Sequence, residues 1–309
     1  TSREDNQPRL LLVTVDVMES LPVVFDSYAK EDGTRKSGYG RLIVEKDNNK
    51  SSSENQKIIG FEHVIKYPQG ITSDHVIASA AVPINFDYSQ IEAERYDPQT
   101  KSYKKETRYF WDGGILANTP LMQVVMAQRQ YWYFGKKVKD AVPKLNVLQI
   151  NLHPARVDRV PSDHDGTVNR SSDISFGDRS KSDETVLLSW QMYTQLVKEL
   201  IQLAKDNGAT PKMIDDLLDR PLPVQERLEG ARATMFRDAV EGAFNLGEII
   251  RIQRKHDDYS ISNKIFDFSS NTIKHLIQDG YNDGVDYIKA RFGIELVKAA
   301  GIQDEIDIS

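Results

Sequence analysis

Tyr109-Phe110-Trp111-Asp112-Gly113-Gly114-Ile115-Leu116-Ala117-Asn118-Thr119-Pro120 is the stretch on which the reading of the whole chain turns. Three aromatics in a row mark the buried end of a strand. Asp-Gly-Gly breaks that strand in a tight turn, because glycine tolerates positive φ and lets another backbone approach where a Cβ would intervene. Thr119-Pro120 supplies a cap and the first residue of a helix, since a proline there gives up an amide that has no helical partner. One carboxylate, Asp112, is thereby displayed between a strand and a helix, as a reactive acid would be. An ordinary Asp-Gly turn has the same local pattern, so the rest of the chain must decide.

Upstream, residues 89–96 and 102–111 read as a hairpin about Asp97-Pro98-Gln99-Thr100 that delivers the chain to Asp112. Thr72-Ser73-Asp74 caps a short helix, His75-Val76-Ile77-Ala78-Ser79-Ala80-Ala81, whose small residues permit close packing on a sheet until Pro83 ends it. Arg41-Leu42-Ile43-Val44 runs into Asp47-Asn48-Asn49-Lys50-Ser51-Ser52-Ser53, a polar loop expected to be mobile because it has little to bury. Leu10-Leu11-Leu12-Val13-Thr14-Val15 has the character of a strand buried on both faces of a parallel or mixed sheet, with Val23-Val24-Phe25 as an antiparallel companion.

Downstream, a helix from Pro120 carries Leu121, Val124, Val125 and Gln128 and ends in Tyr131-Trp132-Tyr133-Phe134-Gly135, and residues 145–152 form a further strand. Residues 153–181, rich in Pro, Ser, Asp, Gly and Arg, read as a long surface loop. Ser182 caps a long helix that packs Val186, Leu187, Trp190, Tyr193, Val197, Leu200, Ile201 and Ala204 on the body. A short helix at Thr210-Pro211, another over residues 224–245, a strand over 247–252 and a closing helix after Asp267 make 182–309 a helical region with one strand. The expectation is one α/β domain over residues 1–309.

Composition narrows the chemistry. The chain has 309 residues, a net charge of −6 and no cysteine. The acidity argues against nucleic acid as a partner, and the missing thiols exclude disulfides, a thiolate nucleophile and cysteine metal sites, with a lean to the cytosol. No apolar run approaches the ~18 residues of a membrane span. Asp163-His164-Asp165 and His256-Asp257-Asp258 have the composition of metal ligands, and would suit a metal-dependent phosphohydrolase, but the first lies in a Pro/Gly loop and the second at a strand end, neither with a preformed spacing, and both read as solvated charges. Ser79 sits within a small-residue helix and reads as packing. Lys136, Lys137 and Lys139 after the aromatic run suit either a lipid interface or a helix end packed on the core with a solvated basic turn.

Ala78-Ser79-Ala80-Ala81-Val82-Pro83-Ile84-Asn85-Phe86 followed by Trp111-Asp112-Gly113-Gly114-Ile115-Leu116-Ala117-Asn118-Thr119-Pro120 resembles the patatin-like phospholipase family, as does Asp267-Phe268-Ser269-Ser270-Asn271-Thr272-Ile273 leading to Gly280-Tyr281. The resemblance implies a lipid acyl hydrolase on a three-layer α/β/α fold, with a Ser-Asp dyad and neither cofactor nor metal. Its aspartate base maps onto Asp112, with Gly113 and Gly114 supporting it. Asn118 fits the family pattern, and Thr119 departs from a common second Asn. The nucleophile's G-x-S-x-G elbow is not found: Lys36-Ser37-Gly38 lacks the leading glycine, Ile174-Ser175-Phe176-Gly177 fails likewise, and no glycine-rich oxyanion loop precedes Leu10. In the family both elements come before the strand that Leu10 begins. The chain is therefore expected to be the C-terminal part of such a domain, its sheet incomplete on the N-terminal side. The serine would lie in cis or on another chain, the substrate would be a lipid or acyl ester, and contact with a membrane would be peripheral. The alternative is a non-catalytic module that binds lipid or a protein partner.

Overall fold

A computed structural model describes residues 7–30, 32–46, 56–138, 142–220, 235–241, 244–255 and 267–293. The polar loop at 47–53 and most of the helix expected over 224–245 lie outside them. The elements run β1 (Leu11–Asp16), β2 (Leu21–Asp26), β3 (Lys36–Lys46), β4 (Gln56–Lys66), α1 (Ser73–Ala80), β5 (Ser89–Asp97) and β6 (Ser102–Asp112). They continue with α2 (Gly114–Ala117), α3 (Leu121–Arg129), a π-helical turn (Gln130–Gly135), β7 (Leu145–Asn151), α4 (His164–Ser175), α5 (Ser180–Asp206), α6 (Pro211–Leu218), α7 (Phe236–Val240), β8 (Leu246–Gln253) and α8 (Ser270–Phe292). Contacts divide the chain into two compact units, Thr1–Leu145 with Arg179–Gly247 and Asn146–Asp178 with Glu248–Ser309.

The first unit is organised by a six-stranded sheet in the order β2-β1-β6-β5-β4-β3, each neighbouring pair antiparallel. The sheet curls until its two edges, β2 and β3, nearly meet. Side chains bridge the seam: the Ser37 hydroxyl donates to the Val24 carbonyl and lies 3.1 Å from the Tyr67 hydroxyl, which accepts the Asp26 amide at 3.1 Å. This architecture overturns the expected three-layer α/β/α sheet with parallel strands. A run of apolar residues reports burial on both faces and not strand direction. β1 is central, its inner face lines the nearly closed sheet, and α2 packs against it, so Val15 is buried as well as Thr14 and Asp16.

Cross-strand neighbours share a face, so the register defines the interior. Thr14 faces Asp112, Asp16 faces Phe110, Ile91 faces Arg108 and Ala93 faces Glu106. Val23, Phe25, Tyr39, Ile65, Tyr67, Ala78, Ala93 and Phe110 form the core. α1 contributes Ala78 to it, and His75 lies edge-on to Phe25 at 4.4 Å. The expected cap of α1 is present at Thr72, whose amide and hydroxyl meet His75 Nδ1 at 3.1 and 2.8 Å. α5 buries Leu187 and Thr194, but its apolar residues do not all share one packed face. Val186, Tyr193 and Leu200 are exposed together with Met192, Leu196 and Leu203.

The second unit holds a small parallel sheet of β7 and β8, with α4 and α8. α4 corrects the long loop expected over 153–181. Its sequence, HDGTVNRSSDIS, has too few apolar residues to display a helical period. A cap starts it instead: the Asp163 carboxylate accepts the Gly166 amide at 2.7 Å, and Asp165 lies in the first turn.

Candidate active site

Asp112 is the last residue of β6, half-buried on the inner face of the sheet. Its amide donates to the Ala81 carbonyl at 2.9 Å, so the two sequence blocks around Ala81 and Asp112 are joined at this residue. Across the ladder, the Thr14 hydroxyl donates to the Trp111 carbonyl at 2.7 Å and fixes the strand end immediately before the acid. Thr14 was not singled out by its sequence. The available signal was a hydroxyl at an inward position of an otherwise apolar strand.

Gly113 explains why the chain can turn here. Its backbone is right-handed helical, with φ −63° and ψ −22°, so no positive φ is involved. A Cβ at this position would lie 2.2 Å from the Val13 carbonyl oxygen and 2.5 Å from its carbon. Close backbone approach, one of the two expected uses of glycine, is therefore the operative one. Gly114 opens α2, and its amide donates to Asp112 Oδ1 at 2.7 Å. The next helix starts one residue later than expected, with Pro120 as its N-cap.

Among the described residues that amide is the one hydrogen-bond donor to the Asp112 carboxylate. Burial pushes its pKa above the ordinary carboxylate range, and the Gly114 amide offsets this only in part. Strand alternation restricts the expected apolar setting: Phe110, fully buried, shares the inner face with Asp112, whereas Tyr109 and Trp111 point to the other side.

The same face holds a second acid with different surroundings. Asp16 is fully buried and accepts Arg108 Nε at 2.9 Å, Arg108 Nη2 at 2.8 Å and the Tyr39 hydroxyl at 2.6 Å. The amides of Met18 and Glu19 add bonds at 2.9 and 3.1 Å. Burial opposes its charge, but Arg108 and Tyr39 outweigh it and hold the carboxyl below its ordinary range. Beside this pair, buried His63 stacks on Tyr39, with Glu106 Oε1 3.1 Å from Nδ1 and Glu19 Oε1 3.4 Å from Nε2. Sequence reading missed this network, whose members come from four strands and the β1–β2 turn.

The remaining candidates separate. Ser79 is half-buried within α1 and stands on no strand-to-helix elbow. His164 is almost fully exposed, and Asp163 serves as a helix cap. His256-Asp257-Asp258 and Lys139 lie outside the described residues. The aromatics after α3 gather round the buried Arg129, whose guanidinium carbon lies 5.1 Å from the Phe134 ring centre and 5.8 Å from that of Tyr133. Lys136 lies over Tyr131 at 5.8 Å.

No protein-family model, curated protein or solved structure matches the chain. Among the described residues no helix is long and apolar enough to cross a membrane, and no three His, Asp or Glu side chains converge as metal ligands would.

Proposed function

We propose that Asp112 is the general base of an acyl-ester hydrolase, acting on a serine hydroxyl of a G-x-S-x-G elbow, a motif that this sequence does not contain. One observation carries the reading: a half-buried carboxylate with a raised pKa that, among the described residues, accepts one backbone amide through one oxygen. A base of ordinary carboxylate strength, pKa ~3.9, takes a proton from serine poorly, and burial strengthens it. The resemblance of the blocks at residues 78–86 and 111–120 to patatin-like phospholipases supports the same chemistry, and with it a lipid or acyl-ester substrate and a serine supplied in cis or by another chain.

In this mechanism Asp112 takes the proton of the hydroxyl as its oxygen attacks the ester carbonyl. The proton then passes to the leaving alcohol. Water attacks the acyl-enzyme, giving its proton to Asp112, and Asp112 returns that proton to the nucleophile's oxygen as the carboxylic acid departs. No imidazole takes part, which agrees with the structural roles of His75 and His63.

The test is Asp112→Asn in protein that also contains the nucleophile, assayed with short p-nitrophenyl esters. Activity should fall on the order of 10²–10⁴-fold with the melting temperature retained, the usual weight of a general base. Unchanged hydrolysis by a folded variant would overturn the assignment. In the active protein kcat should rise with pH through the raised pKa of Asp112, because the base must be ionised.

The exposed apolar residues Met192, Leu196, Leu200 and Leu203 of α5 favour a second reading, a non-catalytic module that binds lipid or a protein. Native protein that neither hydrolyses esters nor reacts with a serine-directed phosphonate probe would select it.

A further inference from the structure

Along α5, Val186, Ser189, Tyr193, Leu196, Leu200 and Leu203 follow one another at alternating steps of three and four residues. That is the spacing of the a and d positions of a coiled-coil heptad, the pattern by which one helix packs along another. α5 uses a different side for its own unit, burying Leu187 and Thr194, each one residue beyond a member of this seam. The five apolar members of the seam are between 51% and 69% exposed. A helix already packed on one face gains nothing from a second apolar stripe unless another surface covers it.

The seam fits itself. Two copies of α5 laid antiparallel in a single register set Val186 against Leu203, Ser189 against Leu200 and Tyr193 against Leu196, then repeat the same three pairs by symmetry. Every layer thus joins a larger side chain to a smaller or equal one. Parallel packing would instead set Ser189 against Ser189 and Tyr193 against Tyr193, a void beside an overfilled layer. The Ser189 hydroxyl donates to the Thr185 carbonyl at 2.8 Å, so Leu200 of the second copy can cover it without orphaning a donor.

The flanks of the seam choose between protein and lipid. Gln195, Glu199, Gln202 and Asp206 border it, paired along the helix as Gln195–Glu199 and Gln202–Asp206 at 2.9 Å. Lys198 and Lys205 fall on the opposite side of the helix, whereas a helix lying on a membrane carries its cations beside the apolar stripe. In the antiparallel register Glu199 meets Met192 and Asp206 meets Thr185, so no like charges face each other. With Met192 added, the exposed apolar surface of two copies is on the order of 1,000 Å², the lower limit for a specific interface.

We infer that the chain forms a two-fold dimer in which α5 packs antiparallel on α5 of a second copy through this seam. The interface is independent of the reading of Asp112, and it commits the exposed apolar surface of α5 to a protein partner, the chain itself. Its small area makes the dimer concentration-dependent.

The experiment is sedimentation velocity of the purified chain from about 1 to 200 μM, the range in which an interface of this size associates. A monomer–dimer equilibrium is expected. Leu196→Glu/Leu200→Glu should raise its dissociation constant at least about tenfold, by placing charge in the seam, and should retain the melting temperature of the dilute protein because both side chains are exposed in the single chain. Ile77→Glu, at an equally exposed site on α1, should leave association unchanged. The chain has no cysteine, so orientation can be read directly: Val186→Cys protein mixed with Leu203→Cys protein and oxidised with copper-phenanthroline should give the mixed disulfide in preference to either self-linked species. A chain that stays monomeric at 200 μM, undiminished association of the folded double glutamate variant, or self-linking of Val186→Cys as strong as the mixed reaction would overturn the proposal. So would a monomer that floats with phosphatidylcholine–phosphatidylglycerol vesicles and loses flotation in the double glutamate variant, which would assign the seam to lipid.

Discussion

On the β1–β6 ladder Asp16 lies across from Phe110 and Asp112 lies across from Thr14, so two carboxylates share one face of one sheet. Asp16 is fully buried among two guanidinium contacts, a phenol and two amides, and its pKa is lowered. Asp112 is half-buried, accepts one amide among the described residues, and its pKa is raised. Burial acts in the same direction on both, and the number of donors decides the sign. An acid surrounded by donors is committed to the fold. An acid with one donor keeps a proton affinity that chemistry can use.

The largest effect should come from stripping Asp16 of its partner. Arg108→Met leaves an uncompensated buried charge and should cost about 3–5 kcal/mol in urea unfolding, whereas a double replacement of both partners by apolar residues should be far milder. A loss below ~1 kcal/mol for Arg108→Met would abolish the contrast between the two acids. Next in size is the backbone beneath Asp112. Gly113→Ala must displace the Val13 carbonyl and should cost about 1–3 kcal/mol by thermal melting, while Gly114→Ala keeps the amide that holds Asp112 and should cost less.

The smallest effect is the most diagnostic. Asp16, with its folded pKa lowered, contributes stability that is present above the unfolded value near 3.8 and is lost as pH falls through the folded value. Asp112, with its folded pKa raised, contributes in the opposite sense: its protonation favours the folded state below 3.8, and that contribution is lost as pH rises through the folded value. Urea midpoints measured on the acid side of neutrality should therefore fall more steeply in Asp112→Asn than in the wild type, and less steeply in Asp16→Asn. Parallel slopes for the two variants would show that the acids are equivalent.

Much of the local structure was legible. The strands β1 and β2, the β5–β6 hairpin, α1 with its Thr72 cap and the paired start of α6 at Thr210-Pro211 all follow from short-range rules of alternation, turns and caps. Strand direction was not, because the apolar run of β1 has the same appearance in a parallel sheet and in the middle of a curled antiparallel one. α4 escaped notice because a cap and not an apolar stripe starts it. Asp112 and Gly113 could be found within one motif, although the resemblance behind them carried the wrong sheet. The Asp16 network could not be found, since its central pair is 92 residues apart and no local pattern records such a meeting.

That separation has a kinetic meaning. β1–β2, β3–β4 and β5–β6 are hairpins between neighbours in sequence, whereas the β1–β6 ladder joins Thr14 to Trp111 across 97 residues. Closing so long a loop forfeits more chain entropy than closing any hairpin, and contacts of this kind form slowly. Asp112 depends on that closure for its neighbour Thr14 and for the Val13 carbonyl beneath Gly113. A nascent or partly unfolded chain thus carries an ordinary aspartate at this position, and the acid acquires its altered proton affinity only when the β1–β6 ladder is in place.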